Sequence, residues 1–157
     1  MSPLNTDLSI NTRSEMAHEL SKLLASNYTL YLKTQNFHWN VKGPFFQSLH
    51  TMFETQYNEL AMANDDIAER ILALGFPAPA TYKEFAELSF IKEPEANLKA
   101  VNMVAELVEG HQIMIKAIRE IIGKAGDQND EATNDLLSPR LNAHEKTLWM
   151  LRTFLEE

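Results

Sequence analysis

Apolar residues recur along most of this chain at the three- and four-residue spacing of amphipathic helices, interrupted at a few Gly- and Pro-rich points. The first run starts at Thr12, where Thr12-Arg13-Ser14-Glu15 reads as a capping box. It passes through Leu20, Leu24, Tyr28 and Tyr31 to about Val41. After Gly43 the second run covers about 45–74, with Pro44 suited to the first helical position and Gly75-Phe76-Pro77 as its stop. Its core stripe is Leu49, Phe53, Leu60, Ile67 and Ile71. Pro77-Ala78-Pro79-Ala80 opens a long connection that holds a short candidate helix from Thr81 to Leu88. A third run extends from about Glu95 to Ile122, with Val104, Leu107, His111, Met114 and Ile118 near one face. Gly123-Lys124-Ala125-Gly126 ends it. The fourth spans about Asp130 to Leu155 and uses Leu136, Leu141, Thr147, Met150 and Leu151. Pro139 inside it predicts a kink or local break.

Four long helices with one long crossover, placed between the second and third, describe an all-α, ferritin-like four-helix bundle with a short helix in the crossover. At 157 residues and 45% apolar content, the whole chain (1–157) is read as one domain with a sizeable core. The absence of cysteine excludes disulfides, zinc-thiolate sites and thiol chemistry. Met1-Ser2-Pro3-Leu4-Asn5-Thr6-Asp7 has neither the basic nor the apolar region of a secretory signal, and no uncharged apolar stretch approaches the ~20 residues a membrane helix needs. A soluble, cytoplasmic protein with no membrane partner is expected. The net charge of −8 opposes contact with nucleic acid and favours attraction of cations.

Candidate chemistry concentrates around the Gly43-Pro44 break. His38, His50, Glu54, Asp65 and Glu69 form a mixed nitrogen and oxygen ligand set suited to Fe(II), Mn(II) or Zn(II). Each helical residue advances by about 100°, so with His50 at zero Glu54 falls near 40°, Asp65 near 60° and Glu69 near 100°. The four share a stripe that also carries Tyr57, Ala61 and Ala68. Asp66 falls near about 160° with Glu59 and Arg70, on the face expected to be solvated. The pairs His50/Glu54 and Asp65/Glu69 lie about 22 Å apart along the axis, too far for one ion. Either each pair binds alone or a second chain completes the site. A two-fold axis near Leu60, with the helix antiparallel to its copy, sets His50/Glu54 of one chain against Asp65/Glu69 of the other and makes two identical sites. His38 could join either one.

His38-Trp39-Asn40-Val41-x-Gly43, His50 twelve residues after His38, and Asp65-x-x-Ala68-Glu69-Arg70 resemble the signature of the Dps family, the ferritin-like miniferritins known as DNA-binding proteins from starved cells. The resemblance extends over essentially the whole chain, including the short crossover helix and Trp149 near the end of the fourth. It implies a homo-oligomer, a hollow dodecamer built from two-fold dimers. His38, His50 and Glu54 of one subunit and Asp65 and Glu69 of its mate would bind Fe(II) there and oxidise it to Fe(III). The implied oxidant is hydrogen peroxide in preference to dioxygen, with Fe(III) mineral stored inside and no haem. Two features depart from the family pattern. Glu54 stands where Asp is more usual. Residues 1–20 carry one Lys or Arg, Arg13, and the chain ends Phe154-Leu155-Glu156-Glu157, so the basic tail of DNA-compacting members is missing. Weak or absent DNA binding is expected.

The runner-up reading is a nucleoid-type protein whose main work is coating and protecting DNA; a metal-free helical scaffold is the third. Glu15-Met16-Ala17-His18 has the Glu-x-x-His spacing of di-iron sites but occurs once, and Glu15 is already assigned to a cap. His111 and His144, each alone on its helix, read as structural histidines. Trp39 is either a site-lining residue that takes oxidising equivalents or a packing aromatic, and Trp149 reads as core or interface packing. Asp127, Asp130, Glu131 and Asp135 suit a helix N-terminus; by the resemblance, Glu131 and Asp135 match acidic positions lining three-fold pores that admit Fe(II).

Overall fold

A computed structural model describes residues 4–156. Five helices follow one another: α1 (Ile10–Asn40), α2 (Phe46–Ala73), α3 (Tyr82–Leu88), α4 (Ala100–Asp127) and α5 (Glu131–Leu155). The four long ones form the expected bundle, and α3 lies in the α2–α4 crossover, packed against α1. There it is held by a capping box in which Thr81 accepts from the Glu84 N–H while the Glu84 carboxylate accepts from the Thr81 N–H.

Helix ends depart from the sequence reading where a cap or a packing contact outweighs local propensity. The start of α1 lies before Thr12, because the Ser9 hydroxyl accepts from the Thr12 N–H and takes the cap position. Pro44 sits outside α2: Gly43, at φ +108°, turns the chain, its carbonyl accepts from the Phe46 N–H, and Phe45 becomes the cap residue. Asn97, at φ +62°, keeps right-handed helix from forming as early as Glu95, so α4 begins at Ala100. That helix then runs straight through Gly123 and Gly126. Each glycine costs about 1 kcal/mol in a helix, but burial of Ile121 and Ala125 in the core offsets it. The helix stops instead at Asn129, left-handed at φ +58°, where the Asp130 N–H reaches back to the Ala125 carbonyl. Of the kink or local break expected at Pro139, the break does not occur: α5 is helical through this exposed position.

The core contains Leu20, Leu30, Phe37, Leu49, Phe53, Leu60, Ile67, Leu107 and Ile118, all but inaccessible to water. α1 lies antiparallel to α2, since His38 pairs with His50 at one end and Asn27 with Leu60 and Asn64 further along. α1 also faces α4. Their approach depends on Gly110, whose Cβ would meet Leu30 Cδ1 at 2.8 Å.

Two expected faces are corrected. On α2, the Glu59/Arg70 side is not simply solvated. It is pinned to α5 by Arg70 on Asp130 (2.7 Å) and by an ion pair between Glu59 and Arg140. On α5, the buried face is Thr133, Leu137, Arg140, His144 and Leu151, whereas Leu136, Leu141 and Thr147 are half-buried and Met150 is exposed. No helix among the described residues is long and apolar enough to cross a membrane.

Candidate metal centre

His38 lies in the last turn of α1 and His50 near the start of α2, so the antiparallel hairpin brings them together across the Gly43 turn. Each ring is hydrogen-bonded to the other's backbone: His38 Nδ1 to the His50 carbonyl at 2.7 Å and His50 Nδ1 to the His38 carbonyl at 2.8 Å. A carbonyl only accepts, so both Nδ1 atoms carry a proton, and in the neutral ring that proton leaves the lone pair on Nε2. This is the outer contact that fixes the tautomer of a metal-binding histidine.

The rings are also locked by stacking. Their centroids are 3.8 Å apart at 14°; Phe46 stacks on His50 at 4.9 Å, and Tyr57 meets His38 edge-on at 5.2 Å. His38 is 7% exposed and His50 half-buried.

Glu54, Asp65 and Glu69 all stand exposed on α2, with Tyr57, Ala61 and Ala68 half-buried between them. Some acidic residues elsewhere are engaged within the chain: Glu19 with Lys22 and Lys124, Glu106 with Lys33, Asp130 with Arg70, and Glu15 with the Gln128 amide rather than with a cap. Among the described residues, Glu54, Asp65 and Glu69 have no such partner. Nor do any three His or acidic side chains among them converge closely enough to hold a metal ion. On the stripe of α2 that carries His50, the single chain therefore presents one prepared histidine pair and three carboxylates without a partner.

Of the remaining candidates, Trp39 is 63% exposed and Trp149 is 65% exposed, so Trp149 is not part of the subunit core. Glu131 and Asp135 are exposed, but Asp130 is buried and taken up by capping Thr133 and pairing with Arg70. His111 and His144 form a second, entirely internal histidine pair that the sequence did not reveal as a pair. Arg140 donates to His144 Nε2 at 2.9 Å, so His144 Nδ1 carries the proton that it shares with His111 Nδ1, also at 2.9 Å. His111 Nε2–H is then left buried without a partner, as is the side-chain amide of Gln56. Burial, and secondarily the Arg140 guanidinium, lowers the His111 pKa to about 3. The signal was the period 133, 137, 140, 144, 151 on α5, obscured because two of its members are charged or titratable residues.

A family model described as Ferritin-like domain matches residues 17–157. The chain is 41% identical over 138 residues to the Bacillus anthracis protein named DNA protection during starvation protein 2, covering 88% of this chain and 94% of that one. It is 36% identical to an uncharacterized low temperature-induced protein of Nostoc, over 99% of this chain and 88% of that protein. Among solved structures it superposes on the DPS protein from Vibrio cholerae O1, described as a member of a broad superfamily of ferritin-like diiron-carboxylate proteins. The TM-score is 0.94 with 31% identity, covering 99% of both chains.

Proposed function

Because the chain belongs to the ferritin-like family, and within it to the Dps proteins, we propose that it is a ferroxidase and iron-storage cage protein that takes Fe(II) as its substrate at sites shared between two subunits. The observation that carries this reading is the reciprocal Nδ1–H···O=C bonding of His38 and His50, which readies two imidazole lone pairs on a surface lined with uncommitted carboxylates. In the proposed arrangement His38, His50 and Glu54 of one subunit face Asp65 and Glu69 of its mate. Neutral imidazole and carboxylate together suit Fe(II) better than either alone, and the carboxylates stabilise the added charge of Fe(III). Two Fe(II) ions supply the two electrons that reduce one hydrogen peroxide to water, so no free hydroxyl radical need leave the site. Fe(III) mineral then collects inside a cage, which we take to be a dodecamer in the cytoplasm.

The reading of DNA coating as the main role rests on the names of relatives. It is opposed by the net charge of −8. A gel shift across a salt series should show weak or no retention at physiological salt. A robust, salt-sensitive shift would favour the DNA role.

The decisive experiment uses His50→Ala and Asp65→Ala, each followed optically for Fe(II) oxidation by peroxide. Each variant alone should lose most activity. Mixed assemblies should recover part of it, because a dimer of the two keeps one intact site. Absence of recovery would reject the shared site, and absence of stoichiometric anaerobic Fe(II) binding by the wild type would reject the ferroxidase reading itself.

A further inference from the structure

Three of the chain's four tyrosines lie on one path. Tyr57 touches the ring of His38 at 5.2 Å; Tyr31 touches Tyr57 at 6.0 Å; Tyr28 touches Tyr31 at 5.4 Å; and Phe85 of α3 stacks on Tyr28 at 4.7 Å. The fourth, Tyr82, lines with Tyr28 and Phe85 a surface groove of about 250 Å³ at the far end. Tyr28, Tyr31 and Tyr57 are half-buried rather than core residues, and Phe would serve the same packing. Three phenols in succession, each ring within contact of the next and the first against a candidate ligand, are what electron transfer by short steps requires.

We propose that Tyr57, Tyr31 and Tyr28 form a redox relay that supplies the missing electron when peroxide meets a site holding a single Fe(II). This rests on the ferroxidase reading above. With one iron present, Fe(II) gives one electron and the phenol of Tyr57 gives the second. The balance is Fe(II) + TyrOH + H2O2 + H⁺ → Fe(III) + TyrO• + 2 H2O: the O–O bond breaks, the phenolic proton ends in water, and no hydroxyl radical is released. The vacancy moves from Tyr57 to Tyr31, whose hydroxyl is held at 3.4 Å by the Gln35 amide, and then to Tyr28 beside the groove. A small soluble reductant reaching the groove would restore the phenol by giving back one electron and one proton.

The test is freeze-quench electron paramagnetic resonance after peroxide is added to the assembled protein carrying one Fe(II) per site. Wild type should give a tyrosyl radical in near one-to-one yield with the Fe(III) formed. Tyr57→Phe should form Fe(III) but lose most of the tyrosyl signal and release hydroxyl radical to a spin trap. Tyr31→Phe should keep the yield but confine the signal to one hyperfine pattern, because the vacancy cannot move past Tyr57. Fe(III) without a tyrosyl signal in wild type, or an undiminished signal in Tyr57→Phe, would overturn the relay and leave the ferroxidase reading intact. No Fe(III) in wild type would end both.

Discussion

Acidification should strike this bundle through its internal histidine pair. His111 and His144 are 2% and 1% exposed, and both are neutral in the folded subunit. Burial first, and the Arg140 guanidinium second, hold His111 down at about 3. Burial, then His111, then Arg140 hold His144 well below the ordinary histidine range. Charging either ring would break the array, because each acceptor nitrogen in it would become a donor facing a donor. An unfolded chain returns both side chains to about 6.5. Below that value the unfolded state binds protons that the folded state refuses, so stability falls as pH falls, from about 6.5 towards about 3, and is fully present above about 6.5. At about pH 5 His111 accounts for roughly 1.5 pKa units at 1.36 kcal/mol, or about 2 kcal/mol, and His144, held down by the same burial, adds to the loss in the same direction. A loss of about 2 kcal/mol is already an appreciable part of the ~5–15 kcal/mol available to a domain. The assay is guanidinium unfolding at about pH 7.5 and about pH 5 for wild type and His111→Phe, at one protein concentration because assembly shifts apparent stability. The carboxylates and the histidines outside the pair act alike in both proteins and cancel, and His144, without His111 beside it, is still held down by burial, the first of its causes. The acid-induced loss should therefore shrink by about 2 kcal/mol in the variant. A loss equal within ~0.5 kcal/mol in the two proteins, or a His111 ring resonance titrating near its ordinary value, would contradict this account of the pair.

Two further outcomes follow from other parts of the bundle. Asp130→Ala removes a cap on Thr133 and strands the Arg70 guanidinium it pairs with at 2.7 Å. A loss of about 2–4 kcal/mol is expected in a thermal melt, and an unchanged midpoint would show that the α2–α5 contact is dispensable. Glu131→Gln with Asp135→Asn removes two exposed carboxylates without touching that contact; stopped-flow Fe(II) uptake should slow while assembly, followed by size exclusion, stays normal. Unchanged uptake would remove these residues from any role in admitting iron.

The α2 stripe is legible in the sequence because helical geometry converts spacing directly into facing. Leu49, Phe53, Leu60, Ile67 and Ile71 are all buried as the period demands, and Glu54, Asp65 and Glu69 share the exposed side. The core face of α4 is equally plain, since Val104, Leu107, His111, Met114 and Ile118 repeat without interruption. On α5 the pattern misleads. Arg140 and His144 belong to the core only because Glu59 and His111, both distant in sequence, supply their partners. No local rule places a charged residue inside.

Residue spacing was enough to set the helices, their order, the separation of His50/Glu54 from Asp65/Glu69, and hence that one ion cannot reach both pairs on a single copy of α2. It suffices because periodicity and rise are fixed by the backbone. Folding in three dimensions was needed to choose which proton each of His38 and His50 keeps, how their rings stack, and which tyrosines stand in line behind them. Those depend on carbonyls and rings that α1 and α2 bring into contact only after the turn at Gly43 folds them together.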